Sequence, residues 1–426
     1  MGDFVLKGNI CYSVSKTEIK ACPHSYIVCM DGKSCGVFEK LPQQYESLPL
    51  IDYGNRLIIP GMVDLHIHAP QYAFRGMGMD LELMGWLQEQ AFPEEVKYED
   101  LDYACDAYSI FAEQMRKSAT TRACIFATRH WKATVLLMNL MEETGLITYV
   151  GKVNMDRQAP QELCEEDVEQ AILDTRKWLE KNRGKYRNTM PILTPRFLPG
   201  CSEPLLEKLQ EVRKEYDLPV QSHLSENPEE VESVKKLFPN AGFYGDTYHK
   251  YGFFGNDAKT IMAHCVWSTE EEVECMRGNG VFVAHCPASN MNLASGIAPI
   301  KRYLELGIKV GLGSDVAGGQ NESIFRAMTD AIQVSKLYWR YVDSAWKPLT
   351  FEEVFYMATK GGGEFFGKVG SFEEGYELDA IVLDDSMQPY PQELSLRQRL
   401  ERSIYLSIDL NGIYAKYVAG KKVKCS

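Results

Sequence analysis

Pro60-Gly-Met-Val-Asp-Leu-His-Ile-His68 is the stretch whose reading decides the fold. Leu57, Ile58 and Ile59 lead into it, and Val63, Leu65 and Ile67 then alternate with Asp64, His66 and His68. Alternation with period two is a strand pattern, and it predicts both histidines on one side of that strand. Two imidazoles so placed can reach one metal ion. Without a partner, each buried ring would carry an unsatisfied polar nitrogen, which is costly. A solvent-facing strand carrying two histidines by chance would read the same way, so the rest of the chain has to decide.

Working outward, the pattern after Pro60 is strand, loop, helix, repeated. A loop, Ala69–Gly78, leads to a helical segment at Leu81–Glu89, and Asp100–Lys117 reads as a helix. Strands are expected at Thr121–Ala127, Tyr149–Val153 and Met190–Leu193, with a charged surface helix over Glu162–Lys185. Leu218–Leu224 is the fifth strand, followed by Asn227 and Pro228, a helix cap with proline at the first helical position. Thr260–Cys265, Val281–Ala284 and Lys309–Leu312 complete eight. Ser268 with Glu271, and Thr350 with Glu353, are spaced as capping boxes. Eight such units predict a (β/α)8 barrel, spanning residues 60–366. No Gly-x-Gly-x-x-Gly follows a strand, which counts against a dinucleotide-binding fold.

The flanks read differently. Phe4–Ile10, Tyr12–Ser15 and a hairpin over Ser25–Glu39, turning at Asp31-Gly32, are strand-like. Leu378–Leu383, Arg402–Ser407 and Gly412–Val418 are strand-like too. Residues 1–59 and 367–426 are therefore expected to form one small composite β-sandwich domain, with the barrel inserted between its halves.

Composition narrows the function. The chain has 426 residues, 45% of them hydrophobic, and a formal net charge of −13. That charge disfavours nucleic-acid and anionic-membrane binding, which need basic surface. No apolar run approaches the ~18 residues of a membrane span, and the start lacks the basic-then-apolar layout of a signal peptide. A cytoplasmic protein is expected. Twelve cysteines are scattered without a Cys-x-x-Cys pair, so neither a cysteine zinc cluster nor the cytidine-deaminase type of zinc site fits.

In a barrel of this kind, residues at the C-terminal ends of the strands build the active site. His66, His68, His223, His264, His285 and Asp315 all stand at such ends. Three imidazoles and one carboxylate suit zinc, and tolerate iron(II), with a position left open for water. Thr194-Pro-Arg196 at the fourth strand end offers no bridging group, so one divalent metal is expected.

These motifs, together with Gln71-Tyr-Ala-Phe74, Thr194-Pro-Arg-Phe197, His223-Leu-Ser-Glu226, Met262-Ala-His264, Ala284-His-Cys-Pro287 and Gly313-Ser-Asp315, resemble the amidohydrolase superfamily and, within it, the guanine deaminases. The resemblance covers nearly the whole chain. Ser118-Ala119 departs from it, since glycine more often precedes the threonines there. It implies His66, His68, His223 and Asp315 as metal ligands, with Asp315 also accepting a proton from water. It implies Glu226 as the proton shuttle to the ring, and His264 as a catalytic group holding the nucleophile, with direct coordination left open. Gln71, Arg196, Phe197, His68, His223 and Glu226 would contact a small purine, guanine. Arg196 is a permanently charged donor for its O6, Gln71 offers a donor and an acceptor, and Phe197 can stack. Trp86 is read as a cap on the pocket or as core, and His285 as a group behind the ligands. A related deaminase or chlorohydrolase acting on another purine, pyrimidine or triazine keeps the metal set and changes the pocket. A homodimer is implied by the resemblance alone.

Overall fold

In the computed structural model the described residues are 2–165 and 167–424. Met1, Glu166 (inside the expected surface helix), and Cys425 and Ser426 (at the end of the expected 367–426 segment) lie outside them.

Eight parallel strands carry the strand-end residues: β1 (Met62–His68), β2 (Thr120–Phe126), β3 (Ile147–Gly151), β4 (Thr189–Pro191), β5 (Val220–Leu224), β6 (Thr260–His264), β7 (Phe282–His285) and β8 (Lys309–Leu312). β1–β4 and β5–β8 pair in chain order as two four-stranded arcs. The arcs meet at both edges. Past β4, Leu193 bridges Val220, and Gln221 N–H donates to the Leu193 carbonyl at 3.0 Å. Past β8, Asp315 N–H donates to the His66 carbonyl at 2.8 Å, and His68 N–H to that of Val316 at 3.1 Å. The closed (β/α)8 barrel is the fold that the sequence predicts. β1 and β2 are buried at every residue, as strands between a packed interior and a helix layer must be. The interior is filled by Val63, Leu65, Cys124, Ile192, Ile261, Ala263, Phe282, Ala284 and Cys286, so it is a core and not a pore.

The terminal segments form one seven-stranded sheet. Its strands are Phe4–Ser15, Glu18–Met30, Lys33–Phe38 and Leu50–Pro60 from before the barrel, and Ala380–Leu383, Ile413–Val418 and Lys421–Val423 from after it. Leu50–Pro60 and Ala380–Leu383 pair antiparallel and stitch the two halves together. The two layers expected of a sandwich are thus one hydrogen-bonded sheet, irregular in register between Lys7 and Ile10. One face holds its own apolar cluster of Phe4, Leu6, Ile10, Phe372 and Tyr417. Cys11, Leu57 and Ile59 on the other face join the barrel's core.

Several expectations are corrected in detail. Phe4–Ile10 and Tyr12–Ser15 are one strand. Arg402–Ser407 is not a strand: Leu396–Tyr405 is a helix, started by a capping box of Ser395 and Gln398 and burying Leu400 and Ile404 at i, i+4. After β6 the cap is Thr269, bonded by Glu272 N–H, one residue later than the Ser268 reading. The surface helix is shorter, Val168–Asn182, capped by Asp167. The Leu81–Glu89 segment becomes Leu83–Trp86, a wider π turn at Leu87–Ala91, and Phe92–Val96. Pro93 has no N–H to return to the carbonyl four residues back, so the hydrogen-bond register opens just before it.

Candidate active site

The site starts with a fault in β1. Pairing with β2 slips between Asp64 and Ile67. Strict alternation predicted Val63 and Leu65 opposite the histidines; instead both fill the barrel interior. An extra residue in a strand exchanges its two faces, so His66 and His68 follow Leu65 inward. Asp64, the other polar residue of the motif, ties β1 to the end of β8. It accepts from Ser314 Oγ at 2.5 Å, Ser314 N–H at 3.1 Å and His66 N–H at 3.1 Å. Gly313 permits this contact, because a Cβ there would stand 2.9 Å from His66 Cβ and 2.8 Å from Cys286 Sγ.

Four groups expected around one ion come together. His66 Nε2 lies 3.2 Å from His68 Nε2 and 3.2 Å from Asp315 Oδ1. His68 Nε2 is 3.3 Å from His223 Nε2 and 3.5 Å from Asp315 Oδ1. Ligands at roughly 2.1 Å from a tetrahedral zinc are separated by about 3.4 Å, so these spacings are the edges of such a site. Burial pushes the pKa of His66 down, and those of His68 and His223 far down, which keeps their rings neutral. His223 Nδ1 is 2.6 Å from the Arg196 carbonyl, which fixes the proton on Nδ1 and turns the Nε2 lone pair inward. Lone pairs converging at such distances repel unless a cation stands between them. The donor set fits a divalent metal.

His264 stands beside this cluster. The ring nitrogens of His66, His223 and His264 lie within 4.8 Å of one another. His264 Nδ1 bonds Asn290 Oδ1 at 2.8 Å, while its Nε2 is 3.5 Å from Glu226 Oε2 and 3.7 Å from Asp315 Oδ2. Burial works against a charged His264, but Glu226 and Asp315 outweigh it and raise its pKa. Burial raises Glu226 to about 7; the nearby His264 opposes the rise, and the Glu230 and Asp315 carboxylates add to it. Burial also disfavours the Asp315 carboxylate, yet the surrounding imidazoles, His66 first, hold its pKa well below the usual range. Two carboxyl groups in one site are thus pushed in opposite directions, Asp315 toward the ionised form and Glu226 toward the protonated one. Ser225, His264 and Asp315, all at strand ends, adopt left-handed φ of 46°, 71° and 47°. Such strain in non-glycine residues gathers where the surrounding structure aims side chains at a site.

Above the cluster opens a cavity. Gln71, Arg196, Phe197, His68, His223, Glu226, His264 and Asp315 line it, with an apolar wall of Leu83, Trp86, Leu87 and Leu293. Trp86 therefore both packs into the core and faces the cavity. Arg196 was expected as a permanently charged donor. It lines the cavity, and its guanidinium also forms a two-pronged pair with buried Glu95, leaving three of its five N–H bonds for other partners. His285 does not join the cluster: it lies on the strand face opposite Ala284 and Cys286, and neither ring nitrogen has a hydrogen-bond partner.

Sequence reading missed Glu95, Asn290 and Ser295, whose hydroxyl donates to Glu226 Oε1 at 2.9 Å. The only sequence signal for Glu95 was the carboxylate pair Glu94-Glu95 following Phe92-Pro93. Asn290 and Ser295 had none.

Residues 57–422 match the amidohydrolase family model. Guanine deaminase of Dictyostelium discoideum is 34% identical, covering 99% of this chain and 98% of that protein. Guanine deaminase of Mus musculus is 37% identical, over 87% and 83% respectively. A crystal structure of guanine deaminase from C. acetobutylicum, with guanine bound in its active site, superposes with a TM-score of 0.96 at 45% identity, covering 99% of this chain and 100% of that one.

Proposed function

The chain belongs to the amidohydrolase family, and from that premise we propose that it hydrolyses guanine to xanthine and ammonia. The single observation carrying the chemistry is the meeting of His66, His68, His223 and Asp315 at 3.2–3.5 Å, directly beneath a cavity walled by Gln71, Arg196 and Phe197.

The aromatic amino group at C2 is a poor leaving group, so the ring has to gain a proton while water adds. His66, His68, His223 and Asp315 would hold one divalent ion, zinc by ligand preference with iron(II) also tolerated, and that ion supplies the Lewis acidity that makes water nucleophilic near neutral pH. Phe197 stacks on the purine, and Gln71 and the free N–H bonds of Arg196 read its 6-oxo edge. Asp315, kept ionised, takes the proton from water. His264 donates a hydrogen bond to the attacking oxygen. Glu226 gives its proton to ring N3 as the oxygen joins C2. It then takes the proton of the new C2 hydroxyl while the proton held on Asp315 passes to the amino group, so that the C2–N bond breaks, ammonia leaves and both acids return to their starting states. With its pKa raised to about 7, Glu226 is suited to both halves of that transfer.

Among the described residues no helix is long and apolar enough to cross a membrane. Free and mostly buried thiols suit a reducing compartment, which supports a cytoplasmic setting. As the assembly we propose a homodimer, on the family likeness alone; a sedimentation mass of one chain would overturn it. The activity is tested by ammonia release from guanine, adenine, cytosine and a triazine offered separately. Turnover of guanine well above the others is expected, and turnover of another ring in its place contradicts the assignment.

A further inference from the structure

Gln71 follows β1 and Arg196 follows β4, yet both end on one carboxylate. Glu95 Oε1 accepts from Gln71 Nε2 at 2.8 Å and from Arg196 Nη2 at 3.0 Å, and Oε2 accepts from Arg196 Nη1 at 2.5 Å. Glu95 is 1% exposed and stands behind the cavity wall, while its neighbour Glu94 bonds Lys97 and Tyr103 instead. The Ala317 N–H donates to Gln71 Oε1 at 3.2 Å, so the amide is held from both ends in one orientation. Phe92 packs under the guanidinium at 5.4 Å.

Two effects follow. Each cavity-facing side chain is fixed before a ligand arrives, which reduces the ordering cost of binding. The buried cation of Arg196 is also cancelled by a carboxylate, so the pocket presents donors without net positive charge.

We infer that Glu95 is the positioning residue of the purine pocket: it aims Gln71 and Arg196 at the 6-oxo edge, and by neutralising Arg196 it favours a neutral ring over an anionic one. This rests on the guanine reading above. Xanthine is a stronger acid than guanine, so a pocket balanced in this way holds its anionic product weakly and releases it.

The experiment uses the purified, metal-loaded full chain, wild type and Glu95→Gln. It measures kcat and KM for guanine, inhibition by 2-aminopurine, which keeps the amino group and lacks O6, and inhibition by xanthine in mildly alkaline buffer. In the variant, KM for guanine should rise about tenfold or more, with kcat within about threefold. Inhibition by 2-aminopurine should change less than about twofold. Anionic xanthine shares O6 but gains from the uncancelled cation, so its inhibition should weaken at least about threefold less than KM for guanine rises. Equal weakening of guanine and 2-aminopurine, an unchanged KM, or xanthine weakened as much as guanine overturns the inference. Should Glu95→Gln fail to fold, Glu95→Asp keeps the charge on a shorter arm. It should raise KM for guanine without that relative gain for xanthine, and an unchanged KM overturns the inference there as well. A wild type that releases no ammonia from guanine overturns the proposed function; a competent wild type with an indifferent variant overturns only the role of Glu95.

Discussion

Glu226 is flanked by two kinds of partner, and the contrast defines its work. Ser295 Oγ and the nearby His264 favour its carboxylate, while burial and the Glu230 and Asp315 charges favour the neutral acid. A group so balanced can both donate and accept a proton, and an amide cannot. Glu226→Gln should lower kcat by about 10²–10⁴-fold with metal content unchanged, because the residue lies outside the ligand set. Activity within tenfold of wild type would remove the proton-shuttle role. Residue chemistry was readable wherever a residue type carries its own meaning. Histidines at strand ends point to a metal site before any coordinates, whereas the role of Glu226, three residues past His223, came from the family resemblance. Glu95 was not readable, because its meaning comes from partners 24 and 101 residues away in the chain.

At the scale of elements, end signals were the most legible feature. Asn227 and Thr350 each accept the backbone N–H that their positions predict, and Asp100, read as the first helical residue, is the cap. Where the reading failed, the cause was local. Arg402–Ser407 read as a strand because the helical period begins upstream, at Leu396. The π turn at Leu87–Ala91 depends on a hydrogen bond that Pro93 cannot make, which a hydrophobic pattern does not register. The strict alternation of β1 missed the slip between Asp64 and Ile67, since a bulge leaves no mark in polarity alone. The helix Leu396–Tyr405 lies outside the catalytic cluster, so its cap can be tested cleanly. Ser395→Ala should cost about 1 kcal/mol in urea unfolding and leave guanine turnover unaltered. No loss of stability would show that the capping box contributes nothing to the fold.

On the scale of the whole molecule, the barrel and the terminal sheet share a buried ion pair. Arg122, on β2, donates to Asp379 Oδ2 from Nε at 2.6 Å and to Glu377 Oε2 from Nη2 at 2.7 Å. Asp379 also accepts from Ala419 N–H at 2.8 Å, so one acid joins three parts of the fold. Arg122→Ala leaves a buried carboxylate without its counter-charge and should cost about 3–5 kcal/mol by denaturant unfolding. A loss under about 1 kcal/mol would mean that the sheet docks by apolar contact alone. Barrel and flanking sheet were both legible because each strand run is long and the polarity pattern changes at Pro60. The way they join was not, since Arg122 and Asp379 give no local sign of one another.

One measurement bears most directly on the claim that these strand ends meet around a single catalytic ion. The protein is stripped with a chelator, zinc is returned in known amounts, and conversion of guanine to xanthine is followed by absorbance. Activity should be lost on stripping, rise with added zinc and level off at about one ion per chain, whereas Asp315→Asn should neither retain the ion nor recover. Full turnover by the metal-free protein, or a plateau at two ions per chain, would contradict the account.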